Sequence, residues 1–184
     1  MLRIIAGKHR GKKISTNRNL SVRPTMSIVR EAIFNILSLK KTIYNSNILD
    51  LFCGSGSFSF EALSRGAKHA FMIDSNYHNL QFPKKTAKNL KVDNNITLIC
   101  CSAYKLPKPI TQCDIAFIDP PYNSNLVYTT LKKLANSNWL NKNAIIIIET
   151  NNKNKNFHCN GNFNVFLERT YGTTKIVFLS SSTT

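Results

Sequence analysis

A chain of 184 residues, 42% of them hydrophobic, is long enough for one domain that buries roughly 70% of its unfolded surface. Its 25 Lys and Arg against 9 Asp and Glu give a formal charge of +16 and a pI near 9.9, a field that favours a polyanionic partner, most often nucleic acid. No apolar stretch approaches the length of a membrane span, and Met1-Leu-Arg-Ile-Ile-Ala-Gly-Lys is too short an apolar run for a secretory signal, so the expectation is a soluble, cytoplasmic protein without a membrane partner.

The basic residues cluster at the start. Arg3, Lys8, His9, Arg10, Lys12, Lys13, Arg18, Arg23 and Arg30 all precede the first acid, Glu31. Lysines spread over a solvated face by compositional bias would raise the pI equally well. The clustering is what points to nucleic-acid contact by this segment. Residues 3–14 read as a short hairpin turned between Gly7 and Gly11. Pro24 then ends an extended segment and Thr25 can cap a helix. From Met26 to Leu39, Ile28, Val29, Ala32, Ile33, Ile36 and Leu37 recur at helical spacing and predict a stripe packed on the sheet that follows. Arg30 sits within that helix, where it can reach a site or pair with Glu31 or Asp50.

From residue 47 the elements alternate. Strands are predicted at 47–52, 69–74, 96–101, 113–119 and 143–149, with helices at 57–65, 77–91 and 124–136. Such alternation implies a parallel sheet with helices on both faces. The Asn/Lys-rich stretch 151–164 reads as a surface loop, 163–167 and 175–179 as a closing hairpin near Gly172, and 180–184 as a frayed tail. Trp139-Leu140 reads as packing for the last crossover. Cysteines 53, 100, 101, 113 and 159 form no C-x-x-C pair, and the histidines share no ligand spacing, so reduced thiols and no metal site are expected.

Two motifs carry chemistry. The first is Asn47-Ile-Leu-Asp50-Leu-Phe-Cys53-Gly54-Ser55-Gly56-Ser57, a strand, a glycine turn and a helix start. Glycine permits positive φ and close approach of a ligand to the main chain, and the helix offers unpaired N–H groups. A further strand ends in Asp74, eighteen residues past Gly56, where a carboxylate can accept both hydroxyls of a ribose. Cys53 lies in the turn and lines it. Ser59 stands where G-x-G-x-x-G has its third glycine and would crowd close helix–strand packing; Asp50 would repel a pyrophosphate but suit a cationic or ammonium-bearing ligand. S-adenosylmethionine, with a ribose, an α-amino group, a sulfonium and no phosphate, fits this pattern better than NAD.

The second motif ends the apolar run Ile115-Ala-Phe-Ile118 in Asp119-Pro120-Pro121-Tyr122. Proline stops the ladder and fixes φ, so the Asp119 carboxylate and the Pro120 carbonyl become two rigid acceptors beside the Tyr122 ring. Two fixed acceptors and an aromatic plate suit a planar group bearing an NH2, such as a nucleobase. A Pro-rich turn ending a strand is the plain alternative, which the upstream glycine turn and ribose-type acid weigh against.

Together these residues resemble the class I S-adenosylmethionine-dependent methyltransferases that act on amino groups. Arg3-Ile-Ile-Ala-Gly-Lys-x-Arg-Gly, Arg23-Pro-Thr, Val29-Arg30-Glu31-x-x-Phe34-Asn35, Phe52-x-Gly-Ser-Gly and Glu61-Ala-Leu-Ser-Arg65 are similar to the RsmD family, bacterial methylases of guanine N2 in 16S ribosomal RNA. The resemblance runs from residue 2 to about residue 150. It implies an α/β Rossmann-like fold with a mostly parallel seven-stranded sheet, helices on both faces and an N-terminal hairpin and helix. One domain, 1–184, would comprise an RNA-binding extension at 1–40 and a catalytic core at 41–184.

The resemblance assigns Asp119, Pro120, Pro121 and Tyr122 to catalysis, and Asp50, Phe52, Cys53, Gly54, Ser55, Gly56, Asp74, Ser102 and Ala103 to S-adenosylmethionine. Arg3, Lys8, Arg10, Lys12, Lys13, Arg23, Thr25 and Arg30 go to RNA. Ser102-Ala103 departs from the pattern, since an Asp or Asn commonly bonds the adenine amine there, and the 151–164 loop has no clear counterpart. The implied partner is ribosomal RNA, the small subunit or an assembly intermediate, met by a monomer. Asp-Pro-Pro-Tyr also serves amino-methylases of DNA adenine and cytosine. An enzyme acting on DNA or another RNA is therefore one alternative, and a nucleic-acid-binding module that has lost its chemistry is another.

Overall fold

The computed structural model describes residues 1–17, 24–121, 124–152 and 162–181. Seven strands form one sheet: β1 (Asn47–Leu51), β2 (His69–Asp74), β3 (Ile96–Cys100), β4 (Cys113–Ile118), β5 (Leu140–Asn151), β6 (Phe163–Tyr171) and β7 (Thr174–Ser181). Their order is β3-β2-β1-β4-β5-β7-β6. The first five pair in parallel; β7 runs antiparallel to β5, and β6 antiparallel to β7. The chain steps outward from β1 through β2 to β3, then returns to place β4 on the other flank of β1. That reversal is a topological switch point, and the crevice beyond the carboxyl ends of β1 and β4 is where such sheets bind ligands.

Helices α1 (Pro24–Lys40), α2 (Ser57–Ser64) and α3 (Tyr77–Leu90) cover one face, and α4 (Ser124–Ala135) covers the other. Each strand alternates its side chains between two cores. Ile48, Met72, Phe117 and Ile147 meet α1, α2 and α3, while Leu49, Ile73, Ile118 and Ile148 meet α4. Phe58 stacks on Phe117 with centroids 4.3 Å apart and lies 4.9 Å from Phe34, which ties α1 and α2 to the sheet.

Strand and helix positions follow the sequence reading closely, with four differences. Helix α1 begins at Pro24, so Thr25 lies in its first turn instead of capping it. The predicted α1 stripe is rotated: Val29, Ile33, Phe34 and Leu37 are buried, whereas Ile28 is 59% exposed. Positions 29, 33, 34 and 37 lie on one helical face, and the large Phe34 draws that face inward. β5 begins at Leu140, three residues before expectation, because Cys113 of β4 pairs with it before a register shift restores Ile115 against Ile145. Trp139 is buried at that start, its Nε1 donating to the Pro107 carbonyl at 2.8 Å. The closing strands are also longer, running from 163 to 171 and from 174 to 181.

The N-terminal hairpin forms as the glycines suggest. The Ile4 N–H donates to the Lys12 carbonyl and the Ile14 N–H to the Leu2 carbonyl, both at 3.0 Å. Leu2, Ile4 and Ile14 point into the α1–α3 core, so the alternating basic residues face outward. Gly7 is docked so tightly on the end of α2 that a Cβ there would lie 1.9 Å from the Ser64 carbonyl oxygen. No helix among the described residues is long and apolar enough to cross a membrane.

Candidate active site

Period-two alternation extends the α1–α3 face upward from Ile48, Met72, Phe117 and Ile147 to Asp50, Asp74, Asp119 and Glu149. Four of the nine acids in a chain of charge +16 therefore sit on one sheet face at the carboxyl ends of β1, β2, β4 and β5. Such a crevice repels phosphate. It favours cations and N–H donors.

Asp50 is 2% exposed and accepts a 2.7 Å hydrogen bond from the Ser59 hydroxyl. Burial pushes its carboxyl up to about 7; the hydrogen bonds from Ser59 oppose this and the nearby charge of Asp74 adds to it. A cation in the crevice would favour its charged form. Ser59, expected to crowd the helix against the strand, is accommodated with no exposed surface because its hydroxyl answers the buried Asp50.

The turn after β1 is held open by the main chain. Phe52 takes φ +65°, the Cys53 N–H donates to the Ile73 carbonyl at 2.9 Å, and the Gly56 N–H to the Cys53 carbonyl at 2.7 Å. A Cβ at Gly54 would meet nothing within 4 Å, so the backbone there is free for a ligand to approach. Cys53 is buried, and burial first, then the charges of Asp50 and Asp74, pushes its thiol far up, which disfavours the thiolate.

Asp74, 8% exposed, clamps this turn. Its Oδ2 accepts from the Gly54 N–H at 3.0 Å and its Oδ1 from the Asn76 N–H at 2.8 Å. The Asn79 amide donates to both oxygens at 3.2 Å. Of the segment after β3, Ala103 is buried in the α4-side core, and the half-buried Ser102 accepts the Lys105 N–H at 2.8 Å through its carbonyl.

Asp119 follows β4 directly, and its N–H reaches towards the Leu51 carbonyl at 3.4 Å. Register places it beside Glu149, since Ile118 pairs with Ile148. Its carboxyl is pushed well above the carboxylate range by burial first, then by the charges of Glu149 and Asp50. Asp119 is nonetheless exposed to solvent, and water there screens its charge and weakens that upward push. Burial likewise raises Glu149. Pro120 is buried and Pro121 exposed; Tyr122 lies outside the described residues.

The basic residues divide. Arg3, Lys8, Arg10, Lys12 and Lys13 are exposed on the hairpin, and Arg3 donates to the Gly11 carbonyl at 2.7 Å. Arg30 departs from the expectation of an RNA contact. It is 5% exposed, donates to the Arg3 carbonyl at 2.6 Å, and lies 3.7 Å from Glu61, because its side chain turns inward under the hairpin. Arg23 and the Thr25 side chain lie outside the described residues.

Sequence reasoning missed what holds the hairpin. Glu61 of α2 has no exposed surface; it accepts the Ile5 N–H at 2.7 Å, the Ala6 N–H at 3.0 Å and the Arg65 Nε at 2.9 Å. The Ser64 hydroxyl accepts the His9 N–H at 2.9 Å and donates to the Ala6 carbonyl, while its own carbonyl accepts the Lys8 N–H at 2.8 Å. An acid that is the only charge in an eight-residue helix, with Arg65 four residues on, is the signal that could have found it. Glu149 was missed too, although it closes an apolar run as Asp74 and Asp119 do.

A family model described as Conserved hypothetical protein 95 matches residues 2–180. The chain belongs to this family, the RsmD methyltransferases. Ribosomal RNA small subunit methyltransferase D of Haemophilus influenzae is 36% identical over 93% of this chain and 89% of that protein. A solved structure of the putative methyltransferase yhhF from Escherichia coli aligns with TM-score 0.86 at 29% identity, over 98% of this chain and 97% of that one. Magnesium protoporphyrin IX methyltransferase from Synechocystis PCC 6803, solved with bound SAM, shares the fold at TM-score 0.68 and 14% identity, over 86% and 80% of the two chains. As an RsmD-family member the chain is a methyltransferase with a Rossmann-like fold, as the sequence resemblance implied.

Proposed function

We propose that this enzyme transfers a methyl group from S-adenosylmethionine to the exocyclic N2 amine of a guanine in small-subunit (16S) ribosomal RNA. The observation that carries the reading is the row of acids at the switch point, together with a hairpin, packed on the same face of the sheet, whose outer side is basic. Charge separation of this kind suits a polyanion whose backbone stays outside while an amine-bearing base enters. The crevice also fits the cofactor. Asp74 would hold the ribose in exchange for its long bonds from Asn79, the bare backbone at Gly54 would admit the ligand, and Asp50 would face its positive charge.

S-adenosylmethionine supplies an electrophilic methyl on a sulfonium. The residues supply geometry. The N2 lone pair of guanine is delocalised into the ring and is a poor nucleophile. Asp119 and the Pro120 carbonyl each accept one N2 hydrogen, which draws the nitrogen towards a tetrahedral shape and aims its lone pair at the methyl. This is catalysis by positioning and electrostatics. The base has to be splayed from its helix or loop to enter, and Tyr122 would stack on it, a contact worth roughly 1–3 kcal/mol. Asp119 need not be a strong base, because the methylated ammonium loses its proton readily.

In this reading residues 1–40 dock RNA and 41–184 hold cofactor and target in one domain. The partner is the small subunit or an assembly intermediate, in the cytoplasm, and the enzyme works as a monomer. The test is radiolabelled methyl transfer to small-subunit particles lacking the modification, followed by nucleoside analysis. Label in N2-methylguanosine is expected; label in a methylated adenosine or cytidine, or none, would contradict the reading.

A further inference from the structure

Glu149 has no role in the scheme above, yet its position is tied to Asp119 by the sheet. Ile118 and Ile148 are register partners on parallel strands, so the next residues, Asp119 and Glu149, stand side by side on strands about 4.8 Å apart. Both belong to the face that continues from Phe117 and Ile147. The electrostatics agree with this proximity, because the charge of Glu149 is felt at Asp119 more strongly than that of Asp50.

A structural acid at a strand end is ordinarily answered by a base. None of the ion pairs among the described residues involves Glu149. The nearest candidate on the adjoining strand, Lys175, precedes Ile176, the register partner of Glu149, and therefore points to the opposite face. Its ammonium is committed to Glu168 at 2.8 Å. Glu149 is half-buried and its carboxyl is aligned with the acceptor that meets the target amine.

Resting on the proposed guanine-N2 reaction, we infer that Glu149 is a specificity-determining residue: it accepts the N1–H of the target guanine beside the amine held by Asp119 and Pro120. Among the amino-bearing bases only guanine places a ring N–H next to its amine. Adenine and cytosine place a bare ring nitrogen there, whose lone pair would face the carboxylate of Glu149. Asp-Pro-Pro-Tyr positions any NH2, so it does not by itself choose among these bases. The neighbouring acid makes the choice. A site built to bond a substrate N–H discriminates strongly against analogues that lack it, since its own polar group is then left unpaired.

The test uses the intact enzyme and an RNA substrate in which the target, once its position is mapped by mass spectrometry of nuclease fragments, is either guanine or 2-aminopurine. The analogue keeps the 2-amino group but presents a bare N1. Wild type should prefer guanine in kcat/KM by about 100-fold or more. Glu149→Gln, whose amide can turn its NH2 towards a bare N1, should lower that preference by at least about tenfold. Cofactor affinity should not change. An unchanged preference in Glu149→Gln overturns the inference, whether or not overall turnover falls, because a merely structural residue would slow both substrates alike. Should that variant fail to fold, Glu149→Asp carries the test: preference for guanine kept, with kcat/KM on guanine down by about tenfold; undiminished turnover overturns the inference. Wild type that transfers no methyl to guanine N2 would instead bring down the proposed function itself.

Discussion

The crevice and the hairpin lie on the same side of the sheet and use charge in opposite ways. In the crevice, Asp50, Asp74, Asp119 and Glu149 are gathered where the strands end, and hydrogen bonds from Ser59, Gly54, Asn76 and Asn79 satisfy the first two. On the hairpin, the exposed groups are Arg3, Lys8, Arg10, Lys12 and Lys13, and one buried acid, Glu61, fixes the backbone beneath them. The difference teaches where selectivity and attachment reside. Acids gathered at a strand edge favour N–H groups and cations. In the proposed reading the basic residues of the outer turn would meet phosphate, and their number would set affinity without choosing a base.

The comparison breaks most visibly if Glu61 is removed. Glu61→Ala strands two backbone N–H groups and leaves Arg65 and Arg30 without their acid. Breaking a buried pair in this way costs about 3–5 kcal/mol. Tm should fall on the order of 10 °C for a chain of this size. Denaturant unfolding checks it, and a variant as stable as wild type would mean the hairpin is anchored elsewhere.

Within the crevice, two acids should separate cleanly. Asp119→Ala should cut methyl transfer by about 10²-fold or more while S-adenosylmethionine affinity, followed by calorimetry, stays close to that of wild type. Near-normal turnover would make Asp-Pro-Pro a structural turn. Asp74→Ala should do the reverse at smaller scale, weakening cofactor binding by about 1.5–3 kcal/mol through loss of a charge-assisted acceptor. Unchanged affinity would remove Asp74 from the ribose.

How far the sequence shows this division depends on whether a residue's role is local. The strands of the parallel sheet were legible because each is an apolar run bounded by a turn, and Asp50, Asp74 and Asp119 stood out because each interrupts or ends such a run. Glu149 ends one as well, but its meaning appears only through pairing with β4, a contact between strands some thirty residues apart. Arg30 read as an exposed base in a basic segment. Its inward turn depends on Glu61 and the Arg3 carbonyl, neither of which is its neighbour in the chain. Ser59 looked like a defect in a glycine pattern because spacing records size and omits the hydroxyl that Asp50 uses. The rotation of α1 likewise followed from Phe34, whose ring finds Phe58 on another helix.

Replacing Lys8, Arg10, Lys12 and Lys13 together by Glu tests the division most directly, since all four are exposed and away from the acid row. The same variant is titrated with RNA over a range of salt and, separately, with S-adenosylmethionine. RNA binding should weaken and its dependence on log salt should flatten by about 0.7–0.9 for each phosphate no longer neutralised, with cofactor affinity unchanged. Superimposable salt lines for variant and wild type, or a parallel loss of cofactor binding, would contradict the assignment of phosphate to the hairpin and of the cofactor and base to the crevice.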